Sequence, residues 1–227
     1  MTTLITALDY FEQNDALAAV ERIGASCEWY KVGKQLFTSS GPAIVRRLKE
    51  MGKKVFLDLK FHDIPNTVSQ AVASAAKIGA DMCNVHALGG PAMLAAAGKS
   101  AKDNGILLVA VTVLTSMDAA ELSAVGLDCG PAAEVSRLAQ LADACGVAGV
   151  VCSALELPVI GKVCGSGFIT VVPGIRPADS SADDQKRIMT PAQAAEAGAT
   201  YIVVGRPITK AADPGLAAAA IQKELGC

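Results

Sequence analysis

The chain is short of aromatic side chains, of histidine and of net charge, and each shortage narrows what it does. Phe, Trp and Tyr supply only 4% of residues while 52% are hydrophobic, so a core must be packed from Ala, Val, Leu and Ile. A formal net charge of −2 over 227 residues, without basic runs interleaved with aromatics, argues against a nucleic-acid partner or an anionic membrane surface. No stretch approaches the roughly 18 uninterrupted apolar residues that a membrane span needs. The opening "MTTLITALDYF" has neither the basic leader nor the long apolar run of a signal peptide. Seven cysteines (Cys27, Cys83, Cys129, Cys145, Cys152, Cys164 and Cys227) are scattered without C-x-x-C spacing, beside only two histidines. The expectation is a cytoplasmic protein whose thiols are reduced and packed as small hydrophobes, with no structural metal.

What is present is alternation. Apolar, β-type runs recur at 4–9, 29–34, 54–60, 82–88, 106–115, 149–154, 168–175 and 201–208. Helical patterns such as "AIVRRLKEMG", "VSQAVASAAKIGA", "PAAEVSRLAQLADACG" and "TPAQAAEAGA" lie between them, several ending in Gly as a helix C-terminus should. The Ala-rich tail "GLAAAAIQKELGC" reads as one more amphipathic helix. Eight strand–helix units of roughly 25–30 residues predict an α/β protein, a (β/α)8 TIM barrel near its lower size limit. A doubly wound sheet would place a Gly-rich turn after its first strand, where this chain has "ALDYFEQNDA". With no linker or low-complexity segment, residues 1–227 read as a single catalytic domain.

Such barrels carry their active sites at the C-terminal ends of the strands, and polar residues gather there. Asp9 ends the first run, Lys31 lies in the second, Asp58 and Lys60 end the third, Thr115 ends the fifth, "PGIR" follows the seventh and "GRPIT" the eighth. In "FLDLKFHDIPNTV" strand alternation puts Phe56, Asp58 and Lys60 on one face. Two opposite charges there are either a structural ion pair or an ammonium held protonated by carboxylates, able to stabilise an anion and donate a proton. Asp63 has a competing explanation, since "DIPNT" is a good helix start with Asp, Asn and Thr as candidate caps. His62 reads as supporting structure and His86 as a hydrogen-bond donor near the barrel top. Gly205 permits close backbone approach and Arg206 an anion clamp, a surface salt bridge being the alternative. The polar stretch 173–191 is either a solvated loop or a lid that would close Arg176 or Gln185 over a ligand.

At "DLKFHDIPNT" the sequence resembles the orotidine 5'-phosphate decarboxylase family. The D-x-K-x-x-D core alone is shared with a wider group of sugar-phosphate decarboxylase barrels, and the extended form is far more specific. The match continues, in order, through "ALD", "KVG", "VTVLTS", "PGIR" and "GRPIT". The resemblance implies conversion of orotidine 5'-monophosphate (OMP) to UMP and CO2, the last step of de novo pyrimidine nucleotide synthesis, without metal or organic cofactor. It implies that Lys60 protonates C6 of the pyrimidine within an array of Lys31, Asp58, Lys60 and Asp63. Asp63 and Thr67 would serve the neighbouring site of a homodimer. Asp9 and Lys31 would hold the ribose, and Thr115 and Ser116 the pyrimidine. Pro173, Arg176, Gln185, Gly205 and Arg206 would lie around the phosphate end.

Three rivals remain on residues alone. Metal-dependent 3-keto-gulonate-phosphate decarboxylases and hexulose-phosphate synthases share D-x-K-x-x-D but add an acidic ligand near strand two, where this chain has Lys31. A silent phosphate-binding barrel has no need of a carboxylate–ammonium array. A Schiff-base lyase needs a neutral amine, and a lysine flanked by carboxylates is a poor nucleophile.

Overall fold

The computed structural model describes residues 1–177 and 189–226. Eight parallel strands close in sequence order into a barrel. They are β1 (Thr3–Leu8), β2 (Trp29–Gly33), β3 (Lys54–Phe61), β4 (Met82–His86), β5 (Leu107–Val111), β6 (Gly149–Val151), β7 (Ile169–Val172) and β8 (Tyr201–Val204). Helices including Pro65–Lys77, Gly90–Asn104, Pro131–Ala144 and Pro214–Glu224 surround them. The predicted barrel is what the chain forms.

Alternation along the strands sorts side chains into two cores. Ile5, Ala7, Phe56, Met82, Val109 and Val171 point inward and fill the barrel. Leu4, Leu8, Val55, Leu57, Cys83 and Leu108 point outward against the helices. At the N-terminal end Trp29 and Tyr201, the first residues of β2 and β8, meet edge to face at 5.5 Å. The interior is therefore packed shut below and open only above.

The turns at that closed end repeat one device. Five helices end with a glycine at positive φ: Gly52 (+72°), Gly79 (+98°), Gly105 (+64°), Gly146 (+75°) and Gly198 (+89°). In each, the following residue's N–H reaches back five positions to a helical carbonyl, as from Lys53 to Leu48 or Val147 to Ala142, both at 3.0 Å. The glycine's own N–H reaches back three. This double bond satisfies carbonyls that the helix end would otherwise orphan and delivers the chain straight into the next strand.

At the open end the chain departs from simple alternation. β5 stops at Val111, so Thr115 lies in the following loop, and β8 stops at Val204, after which Arg206–Thr209 form a short helix. Asp9 lies just beyond β1. The expected caps at "DIPNT" are not used: helix Pro65–Lys77 starts with Pro65, as predicted, but its N-cap is Ile64 and no side chain caps it.

Candidate active site

The charged array is assembled by strand register. Ala7 pairs with Lys31 and Gly33 with Asp58, which brings the ends of β1, β2 and β3 together. Lys60 Nζ donates to Asp58 Oδ1 at 2.5 Å, Lys31 Nζ lies 3.4 Å from Asp58 Oδ2, and Lys31 Nζ also donates to Asp9 Oδ1 at 3.2 Å. Asp58 is 12% exposed and Lys31 13%, whereas Asp9 is 61% exposed. The array therefore runs from the solvent edge to the barrel interior. Gly33 lies close beside it: a Cβ there would stand 2.9 Å from the Lys31 ammonium, so a larger residue would displace that flexible side chain.

Burial on its own would push the Lys31 ammonium down, but Asp58 and Asp9 more than offset it and hold its pKa above the usual range. Burial likewise works to raise Asp58, and the ammoniums of Lys31 and Lys60, with the Asn84 amide, hold it below the usual carboxylate range. Both groups are thus charged across neutral pH. His86 is pushed down to about 4, first by burial and then by His62 and Lys60, so it is neutral at pH 7 and packs 5.5 Å from the His62 ring.

Two connected hollows open beside the array. An inner one of about 180 Å³ has Lys31, Asp58 and Lys60 on one side and Val111, Val151 and Val171 on the other, with Thr115 at its edge. An outer one of about 570 Å³ is lined by Asp9, Tyr10, Gln35, Arg176, Gly205 and Arg206. Lys31, Pro173 and Val203 line both, so the two are lobes of one cleft. A flat ring with one ionisable edge fits the inner lobe, and an anionic tail fits the arginines of the outer lobe.

Asp9, Lys31, Asp58, Lys60, Thr115, Pro173, Arg176, Gly205 and Arg206 thus meet in one cleft, as expected. Asp63, Thr67 and Ser116 do not join them within this chain. Asp63 Oδ1 accepts the Ile64 N–H at 2.6 Å, and the residue lines a separate open hollow with His62, Ile64 and Leu88. Thr67 and Ser116 are exposed. Gln185 lies outside the described residues. The sequence reading missed Asn84, which is fully buried in β4 and donates to Asp58 at 2.7 Å. An amide at an inward position of an otherwise apolar strand was the signal available. It also missed Tyr10, Gln35 and Lys210 of the outer lobe, which no motif marks. Among the described residues no group of three or more His, Cys, Asp or Glu is placed to hold a metal ion, and no helix is long and apolar enough to cross a membrane.

Known proteins are similar to this chain in sequence and fold. The chain is 52% identical over 225 residues to the orotidine 5'-phosphate decarboxylase of Sodalis glossinidius (strain morsitans), covering 98% of this chain and 89% of that one. It is 52% identical over 226 residues to the enzyme of the same name from Chromohalobacter salexigens, covering 99% and 96%. The crystal structure of orotidine 5'-phosphate decarboxylase from Lactobacillus acidophilus superposes with a TM-score of 0.89 at 37% identity, over 100% of both chains. With residues 2–221 also matching the model of the orotidine 5'-phosphate decarboxylase / HUMPS family, the chain belongs to that family.

Proposed function

We propose that this protein decarboxylates OMP to UMP and CO2 in the cytoplasm, without metal or organic cofactor, as the last step of de novo pyrimidine nucleotide synthesis. The observation that carries the reading is the Lys60 ammonium, held on Asp58 at 2.5 Å and facing an apolar lobe. The names of the relatives support the substrate, and Lys31 in β2 favours it over the metal-dependent sugar-phosphate branch.

Loss of CO2 from C6 leaves an electron pair in the plane of the pyrimidine, where no adjacent carbonyl delocalises it. The protein has to supply the stabilisation, and a fixed ammonium beside C6 in a low-dielectric lobe supplies it at no reorganisation cost. Lys60 then gives its proton to C6, completing UMP. Asp58 aims Lys60 and, set beside the substrate carboxylate, raises the ground state relative to the transition state. Asp9 and Lys31 hold the ribose hydroxyls, and Thr115, with Ser116 from the same loop, borders the pyrimidine. Pro173, Arg176, Gln185, Gly205 and Arg206 surround the phosphate. Binding energy from that remote group lowers the barrier at C6 only if the ring is held rigidly between the two ends.

Asp63 and Thr67 complete the partner's site in a homodimer. Their exposure beside Ile64 and Leu88, which are 65% and 44% exposed, supports that assignment. Mixing inactive Lys60→Ala and Asp63→Ala dimers then regenerates activity, whereas self-contained barrels stay inactive.

The direct experiment follows the ultraviolet absorbance of OMP with purified protein and EDTA present. Turnover indifferent to EDTA is expected. Absence of turnover overturns the reading, and turnover abolished by EDTA moves the protein to the metal-dependent branch.

A further inference from the structure

Lys60 stands on strained backbone. Its φ of +55° makes it the one non-glycine residue with positive φ among those described, a conformation that costs an L-residue roughly 1–2 kcal/mol. The strain sits at a break in the sheet: Leu57 pairs with Cys83 and Phe61 with Val85, so four steps along β3 face two along β4. The Lys60 N–H falls inside this bulge, where a regular ladder has no partner for it. Asn84, at the centre of β4 and fully buried, fills the gap.

Its amide makes two bonds of 2.7 Å. Oδ1 accepts the Lys60 N–H, and Nδ2 donates to Asp58 Oδ1, the same oxygen that accepts the Lys60 ammonium. The result is a closed ring running from Lys60 backbone to Asn84 amide, Asp58 carboxylate, Lys60 ammonium and back. The amide fits in one orientation only, because turning it over would set donor against donor and oxygen against oxygen. Asn84 is absent from the lining of the cleft and therefore acts through Lys60.

We propose that Asn84 is a positioning residue for the reaction: it holds Lys60 in its left-handed conformation and fixes Asp58, so that the ammonium and C6 meet in one geometry. This rests on the decarboxylase reading above. The charged and titratable groups around the ring include Lys31 from β2 with its partner Asp9, Lys34 just after β2, Asp58 and Lys60 from β3, His62 just after β3, and His86 at the top of β4.

Two variants separate positioning from simple support. Asn84→Ala removes both bonds. Asn84→Asp is isosteric and keeps the acceptor for the Lys60 N–H, but its second oxygen donates to Asp58 only when protonated. Two carboxylates in contact share a proton more readily as pH falls. For Asn84→Asp, kcat at pH 7.5 should drop by about 10²-fold, the scale of a 1 Å misplacement, with UMP affinity nearly unchanged. The ratio of variant to parent kcat should then climb as pH is lowered toward 5.5. Asn84→Ala should show a kcat loss of the same order whose ratio to the parent is flat with pH.

A kcat for Asn84→Asp equal to the parent's at pH 7.5 overturns the proposal. So does a loss in both variants that is shared equally between kcat and UMP affinity with no recovery in acid. If Asn84→Asp does not fold, the split between kcat and UMP affinity in Asn84→Ala decides alone. A parent protein that leaves OMP untouched defeats the decarboxylase reading instead, so the two failures are distinguishable.

Discussion

The two ends of this barrel are built on opposite plans. At the N-terminal end five helix-to-strand turns use one hydrogen-bond pattern around a left-handed glycine, and each is settled within about six residues of chain. At the C-terminal end the loops after β5, β6 and β7 share a capping box at Asp118, Ser153 and Thr190, but the charged array lies outside them. There Lys60 adopts the conformation those glycines adopt, without being glycine, and it does so because Asn84 from the next strand accepts its N–H. Local chemistry suffices below. Above, Lys31 and Asp58 are placed by partners more than twenty residues away, and strain is accepted where it aims a charge.

The largest expected effect breaks the upper end and leaves the lower intact. Lys60→Ala removes one of the two ammoniums that line the inner lobe while keeping the Asp58–Lys31 and Asp58–Asn84 contacts. kcat should fall by about 10²–10⁴-fold, the range for losing a positioned acid, while circular dichroism and UMP binding are retained. Turnover within tenfold of the parent would remove Lys60 from the chemistry. Next comes Arg206→Ala at the outer lobe. A charge-assisted bond to phosphate is worth about 1.5–3 kcal/mol, so kcat/KM for OMP should fall by about 10- to 150-fold with the melting temperature little changed. Unchanged kcat/KM would place the phosphate elsewhere.

The same contrast explains what was readable in the sequence. The lower end was legible because its signals are local: "EMGK", "KIGA", "DNGI", "ACGV" and "EAGA" each carry the glycine that stops a helix. The charges at the strand ends were legible by strand parity and by their repetition at one end of the fold. Strand ends were not, since β5 and β8 are shorter than the runs read from the sequence: "TVLT" and "GRPI" continue those runs after the strands have ended. Parity also carried past its range, because it placed Lys60 beside Asp58 as if the strand were regular, and the bulge opposite Asn84 is invisible without the neighbouring strand. Asp63 was ambiguous between cap and catalyst, and the geometry removes the cap.

A lower-end substitution supplies the reverse experiment. Gly146 has φ +75°, and a Cβ added there meets nothing within 4 Å, so Gly146→Ala carries a backbone penalty alone. Stability in urea should fall by about 1–2 kcal/mol with kcat and KM for OMP unaltered. A loss of activity without a loss of stability would show that the two ends are coupled.

The smallest effect concerns pH, and it separates the ends by titration. His86 in the folded protein loses its proton near pH 4, against about 6.5 in an unfolded chain. Between those values the unfolded state binds the proton and the folded state does not, so stability falls as pH drops from about 6.5 toward 4. Asp58 acts lower still: its pKa is depressed, so its contribution is present above the ordinary carboxylate range and is lost only in stronger acid. The interval from pH 7.5 to 5 therefore separates His86 from Asp58, and the His86→Gln variant separates it from the neighbouring His62. His86 is partly solvent-accessible, and after screening its share is about 1 kcal/mol. His86→Gln should lose that much less stability than the parent over this interval, in urea titrations at one fixed protein concentration. Gly146→Ala should run parallel to the parent over this interval, because the substitution adds and removes no charge. Parallel lines for His86→Gln as well would mean that protonation in mild acid is felt somewhere other than at the top of β4.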